Sequence, residues 1–233
     1  MSPYIAALLT FAIALVFLRL MDFLAHRGLI ESRLSRKLIH IGTGPIFVLC
    51  WLMFTDEAIS RWLAALVPLV ITIQFALVGL GIVKDEAAVK AMSRTGDPRE
   101  ILRGPLFYGI VFVAMTLIYW KDSLIGIPAL MILCGGDGVA DIVGRRVNSP
   151  KWFWSREKSV AGSLSVFFGG WLLTMFIFTI YVWLGAFSGP TTRFVLPVAF
   201  VALGATLVES LPFKDIDNIT ITLACVIVGS LVF

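Results

Sequence analysis

Charge is scarce in this chain: of its 233 residues only 15% are Asp, Glu, Lys or Arg, while 59% are hydrophobic. A soluble domain usually carries about 25% charged residues, so that class is excluded. The mean hydropathy of +0.94 points instead to a polytopic membrane protein. Cysteine is equally sparse. Cys50, Cys134 and Cys225 are isolated within apolar stretches, with no paired spacing, which argues against a disulfide framework or a zinc site. There are two histidines, and no Ser-His-Asp or Cys-His arrangement is apparent. No nucleic-acid partner is expected. Too little chain remains outside the apolar runs for a separate soluble domain, so a single membrane-embedded domain over residues 1–233 is expected.

A helix needs about 20 apolar residues to cross the hydrocarbon layer. On that measure the fold is expected to be all-α, with about eight spans near residues 3–25, 39–55, 61–83, 104–120, 123–143, 160–186, 194–211 and 217–233. The second and the last are short. The first lacks a basic leader and exceeds a signal-peptide core, so a retained helix is expected. Sixteen of the nineteen Lys and Arg fall at one side of this map, and only Arg61, Lys121 and Arg193 at the other. Because cytoplasmic loops carry the Lys/Arg excess, both termini are expected on the non-cytoplasmic side. Twelve of the fifteen acidic residues share the basic side, the exceptions being Asp56, Glu57 and Asp122. A transporter would place polar groups near the midplane, often on interrupted helices. Here they gather at one rim.

The stretch "CGGDGVADIVGRR" ends the fifth span. Asp137 and Asp141, four residues apart, share a helical face, where like charges repel by about 0.2–0.5 kcal/mol even in water. A cation between them would relieve this, and Mg²⁺, which takes one or two carboxylates plus phosphate oxygens, is the natural candidate. Glycines 135, 136 and 138 would let a bulky ligand approach the backbone. The alternative pairs Asp141 with Arg145 and gives the glycines to helix packing. Ala140 and Gly144, four apart, could likewise pack within the chain or between chains, so an oligomer is open.

In "SREKSVAGSLS", Ser159 is a plausible N-cap, and a helix N-terminus with free amides beside Lys158 would suit a phosphate. The Walker pattern is absent, because Trp152 and Glu157 stand where it needs glycine. "GGDGVADIVG" likewise fails the dinucleotide fingerprint. In "RKLIH", Arg36 and Lys37 lie four and three residues before His40, giving a positive arc at the mouth of the second span. Interfacial anchoring is the plainer reading. In "ESLPFKDIDN", Glu209 at the inner end of the seventh span needs a partner, while Asp217 or Asn218 could cap the eighth helix. A further loop, "SRTGDPREILRG", has Gly96 and Pro98 as turn formers. The clusters together describe a polyanion and its metal held over a lipid-filled groove, as phosphoryl transfer to a membrane alcohol requires.

The motifs "RKLIHIGTG", "GDGVADIVGRR", "KSVAGSLS" and "ESLPFKDIDN", in this order, resemble those of the phytol kinase and dolichol kinase family of CTP-dependent polyprenol kinases, over residues 36–220. A more distant similarity is to phosphatidate cytidylyltransferases. The resemblance implies an integral membrane enzyme that moves the γ-phosphate of CTP, with a divalent metal, to a long isoprenoid alcohol. It implies Asp137 and Asp141 at the metal and triphosphate, and Gly136, Gly138, Lys158, Ser159 and Gly162 along the nucleotide loop. Arg145 or Arg146 would neutralise phosphate. Arg36, Lys37 and Asn218 are further nucleotide-side candidates, and Asp141, Glu209 and His40 are the candidate general bases. The chain departs from the family's pattern in "VNSPKWFW" after Arg146. Cytidylyl transfer and diacylglycerol phosphorylation are the rival chemistries, and a transporter is the rival outside enzymes. The host would be a bacterial plasma membrane or a photosynthetic one, with the active site facing the cytoplasm.

Overall fold

The computed structural model describes residues 1–93, 95–213 and 215–233, leaving aside the side chains of Ser32, Arg33, Ala91 and Arg145. The chain divides into two compact units, Met1–Ile118 and Tyr119–Phe233.

The first unit contains α1 (Pro3–His26), α2 (Ser32–Cys50), α3 (Ala58–Gly79), the short α4 (Glu86–Met92) and α5 (Gly104–Ile118). Pro3 opens α1 at a position whose amide would have no partner in the helix. Helix α1 packs on α2 and α3, and α3 on α5. Met21, Ile39, Val78, Met92 and Ile101 form a buried cluster across these elements. Helix α4, absent from the sequence expectations, is capped by Asp85, whose Oδ1 accepts from Ala88 N at 2.9 Å. Hydroxyls inside the apolar helices are satisfied locally. Thr72 donates to the Pro68 carbonyl at 2.6 Å and Thr116 to that of Phe112 at 2.6 Å, so neither asks lipid for a partner.

The second unit contains α6 (Gly126–Ile132), α7 (Gly138–Arg146), a hairpin of β1 (Lys151–Trp152) and β2 (Ser155–Ser159), then α8 (Val160–Trp183), α9 (Val195–Glu209) and α10 (Asp217–Val232). Helices α6 and α7 are one rod with a wide π-type turn, Leu133–Asp137, between them. The rod and α9 both pack on α8, and α10 packs on α9 and α6. Every residue of α6 is buried. Close approach needs glycine: a Cβ on Gly135 would stand 2.6 Å from the Gly169 carbonyl oxygen, and one on Gly169 the same distance from that of Gly135.

Among the described residues six helical stretches are long and apolar enough to cross a membrane: Pro3–His26, Ala58–Gly79, Pro98–Ile118, Gly126–Gly144, Val160–Trp183 and Thr191–Glu209. These are six of the eight expected spans, and the protein is an all-α, multi-pass membrane protein. The other two differ. Helix α2 starts at Ser32 rather than near residue 39, so Arg36, Lys37 and His40 lie within it rather than at its mouth. Helix α10 has 16 residues, about 24 Å at 1.5 Å per residue, which is short of a hydrocarbon layer of about 30 Å.

Candidate functional site

The charged centre of the second unit is built on three helix ends and the hairpin. Lys158, in β2, reaches Glu209 Oε1 at 2.6 Å and Asp217 Oδ2 at 3.2 Å. Glu209 ends α9 and is buried, with 6% of its side chain exposed. Ser163, one turn into α8, donates to Glu209 Oε2 at 3.4 Å, and Trp152 Nε1 donates to Ser163 Oγ at 2.9 Å. Glu209 therefore has the partner that its depth demands. Burial lowers the basicity of Lys158, but Glu209 and Asp217 outweigh it, with Asp137 adding to them, and hold the ammonium above the usual lysine range. Three carboxylates thus act on one ammonium.

Asp137 closes the π-type turn with right-handed helical backbone and leads straight into α7, so Asp141 follows it by one turn, both half-buried. Among the described residues no group of three or more His, Cys, Asp or Glu could by itself hold a metal ion. Asp137 and Asp141 supply two carboxylates along this stretch. That suits Mg²⁺, whose shell is commonly completed by water and substrate phosphates. Arg146 is exposed at the end of α7, and the Arg145 side chain lies outside the described residues.

Two details of the phosphate expectation change. Ser159 is the N-cap of α8, accepting from Gly162 N at 3.1 Å, but the neighbouring amides are not free. Ala161 N donates to Ser149 Oγ at 3.0 Å, and Val160 N to the Pro150 carbonyl at 3.0 Å. The two residues that lead into the hairpin, Ser149 and Pro150, lie over the helix start and take up these donors. The glycines also face protein. A Cβ on Gly136 would meet Val166 at 3.0 Å, one on Gly162 would meet Ser159 Oγ at 3.1 Å, and one on Gly144 would lie 3.5 Å from Gly162 Cα. Gly144 thus packs within its own chain. Gly138 is buried at the start of α7.

At the other end of the motif set, α10 begins at Asp217 with Ile216 as its cap, so neither Asp217 nor Asn218 serves as the cap. Asp217 is instead drawn to Lys158, and Asn218 is buried in the first turn. Arg36, Lys37 and His40 belong to the first unit. There the His40 ring packs on Tyr108 with centroids 4.5 Å apart. Tyr108 Oη lies 2.9 Å from the His40 carbonyl, to which it donates, and 3.0 Å from Thr43 Oγ1.

Nearly the whole chain matches curated sequences. Over 230 residues it is 40% identical to a probable phytol kinase, chloroplastic, of Triticum aestivum, covering 98% of this chain and 77% of that protein. The chain belongs to the phytol kinase family. Phytol kinase 1, chloroplastic, of Arabidopsis thaliana is 38% identical over 214 residues, 91% of this chain and 70% of that one. A farnesol kinase, chloroplastic, of the same plant is 40% identical over 212 residues, 89% and 68% of the two chains. No family profile and no solved structure matches. In this member of the phytol kinase family, sequence reasoning missed Trp152 and Ser163, which link the hairpin to Glu209. The signal lay in the aromatic "KWFW" segment.

Proposed function

We propose that this protein is a CTP-dependent kinase that transfers the γ-phosphate to the hydroxyl of a long isoprenoid alcohol, phytol first among them. The observation that carries the reading is the identity of about 40% to proteins named phytol kinase and farnesol kinase across nearly the whole chain. The anionic rim of the second unit supports it. In this reading Asp137 and Asp141 hold Mg²⁺, which when bound offsets the charge of the triphosphate. Arg145 or Arg146, the last two residues of α7, neutralises phosphate charge. Lys158, bound to Glu209 and Asp217, also fixes α9 and α10 against the hairpin, and the strand it belongs to forms the wall of the nucleotide loop.

The hydroxyl oxygen of the alcohol attacks the γ-phosphorus, the bond from that phosphorus to the β–γ bridging oxygen breaks, and CDP leaves. The hydroxyl proton passes to a carboxylate. Glu209, whose two oxygens accept from Lys158 and Ser163, suits an orienting role, so we assign the proton to Asp141. Catalysis of this kind rests on positioning and charge neutralisation. The Lys/Arg excess read along the sequence supports the cytoplasmic face for this reaction.

The test is transfer of label. Purified protein receives Mg²⁺, CTP labelled at the α- or γ-phosphate, and phytol, a longer polyprenol, diacylglycerol or phosphatidate. γ-Label in phytol is expected. α-Label in phosphatidate would make it a cytidylyltransferase, and no labelled lipid would return the transporter.

A further inference from the structure

The hairpin between α7 and α8 carries three consecutive aromatic residues at its turn. Trp152 and Trp154 stack with centroids 4.6 Å apart and planes at 11°, and the Phe153 ring meets Trp154 edge-on at 4.3 Å. Phe153 is 92% exposed and Trp154 38%. An aromatic ring held in water forgoes about 1.5–3 kcal/mol of burial, yet this one is displayed at the tip of an ordered turn. The location of that tip is constrained twice. Phe153 lies seven residues from both Arg146 and Val160, the ends of two membrane-crossing rods. Trp154 Nε1 donates to the Ser210 carbonyl at 3.1 Å, which ties the tip to the end of a third, α9. The hairpin therefore lies along the level where helices leave the lipid, rather than standing off from it.

The surroundings continue the same surface. Leu211 and Phe213, which follow Ser210 in the chain, are exposed, as is Val147 at the end of α7. Lys151 and Arg156 are exposed on the two strands. Aromatic rings flanked by Lys and Arg at a helix end are the composition of a membrane interface: rings settle at the headgroup–acyl boundary and cations meet lipid phosphates. That zone is about 5–7 Å deep on each side, enough for one ring.

We propose that the Trp152–Phe153–Trp154 turn is an interfacial anchor, with Phe153 entering the acyl boundary of the membrane that the helices cross. Because Trp152 also donates to Ser163, and Ser163 to Glu209, the anchor fixes the strand that delivers Lys158. The depth of the charged centre is thereby set by lipid contact.

The experiment uses the full chain in nanodiscs of phosphatidylcholine and phosphatidylglycerol. Phe153→Cys is labelled with a polarity-sensitive fluorophore, and Leu172→Cys, exposed midway along α8, provides a deep reference; the three native cysteines are buried. A single symmetric peak in size exclusion verifies folding. The expected result at 153 is blue-shifted emission, strong quenching by lipids spin-labelled near the headgroup, weak quenching by lipids labelled near the chain end, and protection from aqueous iodide. The reference shows the opposite order between the two lipid labels. Water-like emission quenched by iodide, with no lipid quenching, would overturn the proposal. So would protection that arises only when CTP or phytol is added, since the turn would then belong to the substrate site.

Discussion

His40 and Lys158 both belong to basic stretches of the sequence, one inside α2 and the other in β2 just before α8, and their surroundings differ in kind. His40 is bound through its backbone carbonyl to Tyr108 Oη, and its ring packs on that phenol. Lys158 is bound through its charge, at 2.6 and 3.2 Å from two carboxylates of different helices. A member of a basic stretch can thus serve helix packing or be the centre of a charge network. The second unit brings Glu209, Asp217 and Asp137 to bear on Lys158.

The largest test of this contrast is catalytic. Asp137→Asn is expected to lower the rate of labelled phytol phosphate formation by roughly 100-fold or more, the scale of losing one electrostatic contact to a transition state. His40→Gln in the same assay is expected to stay within several-fold of wild type. Equal losses would erase the distinction between the two clusters.

Next is the ion pair. Removing one partner of a buried pair costs about 3–5 kcal/mol at full burial, and less here because 18% of the Lys158 side chain is exposed. Lys158→Met should therefore lower the thermal midpoint in detergent clearly. Lys158→Met with Glu209→Gln should cost less than the two single changes added together. The pH dependence has a definite sign. The folded-state pKa of Lys158 is raised, so its contribution is fully present below the unfolded lysine value of 10.5 and is lost as pH climbs beyond it. The gap in midpoint between wild type and Lys158→Met should stay level from neutral pH and close only in strongly alkaline buffer.

The smallest effect belongs to the first unit. Tyr108→Phe removes a hydroxyl that serves His40 and Thr43, and should cost about 1 kcal/mol in unfolding free energy with turnover retained.

The membrane-crossing helices were legible because length and hydropathy are properties of a contiguous segment. Six expected spans recur with ends displaced by a few residues. The α2 helix was placed late because Ser32–Lys37 is polar, and an apolar threshold ignores helix that runs beyond the lipid. The hairpin was missed because β1 has two residues and β2 five, too few for alternation to register. Ser159 was recognisable as an N-cap, whereas the occupied amides around it were not, since their acceptors, Ser149 and Pro150, come from the far side of the hairpin in the chain.

By itself the sequence determined which segments are apolar enough to leave water, where the acidic and basic residues concentrate, and which family the chain belongs to. These follow from composition along a line and from residue order. The tertiary structure alone decided that Lys158 faces Glu209 and Asp217, 51 and 59 residues away, and that Gly135 meets Gly169 instead of open space. Ion pairing and close packing depend on distances between elements, and those exist only once the helices have been laid side by side.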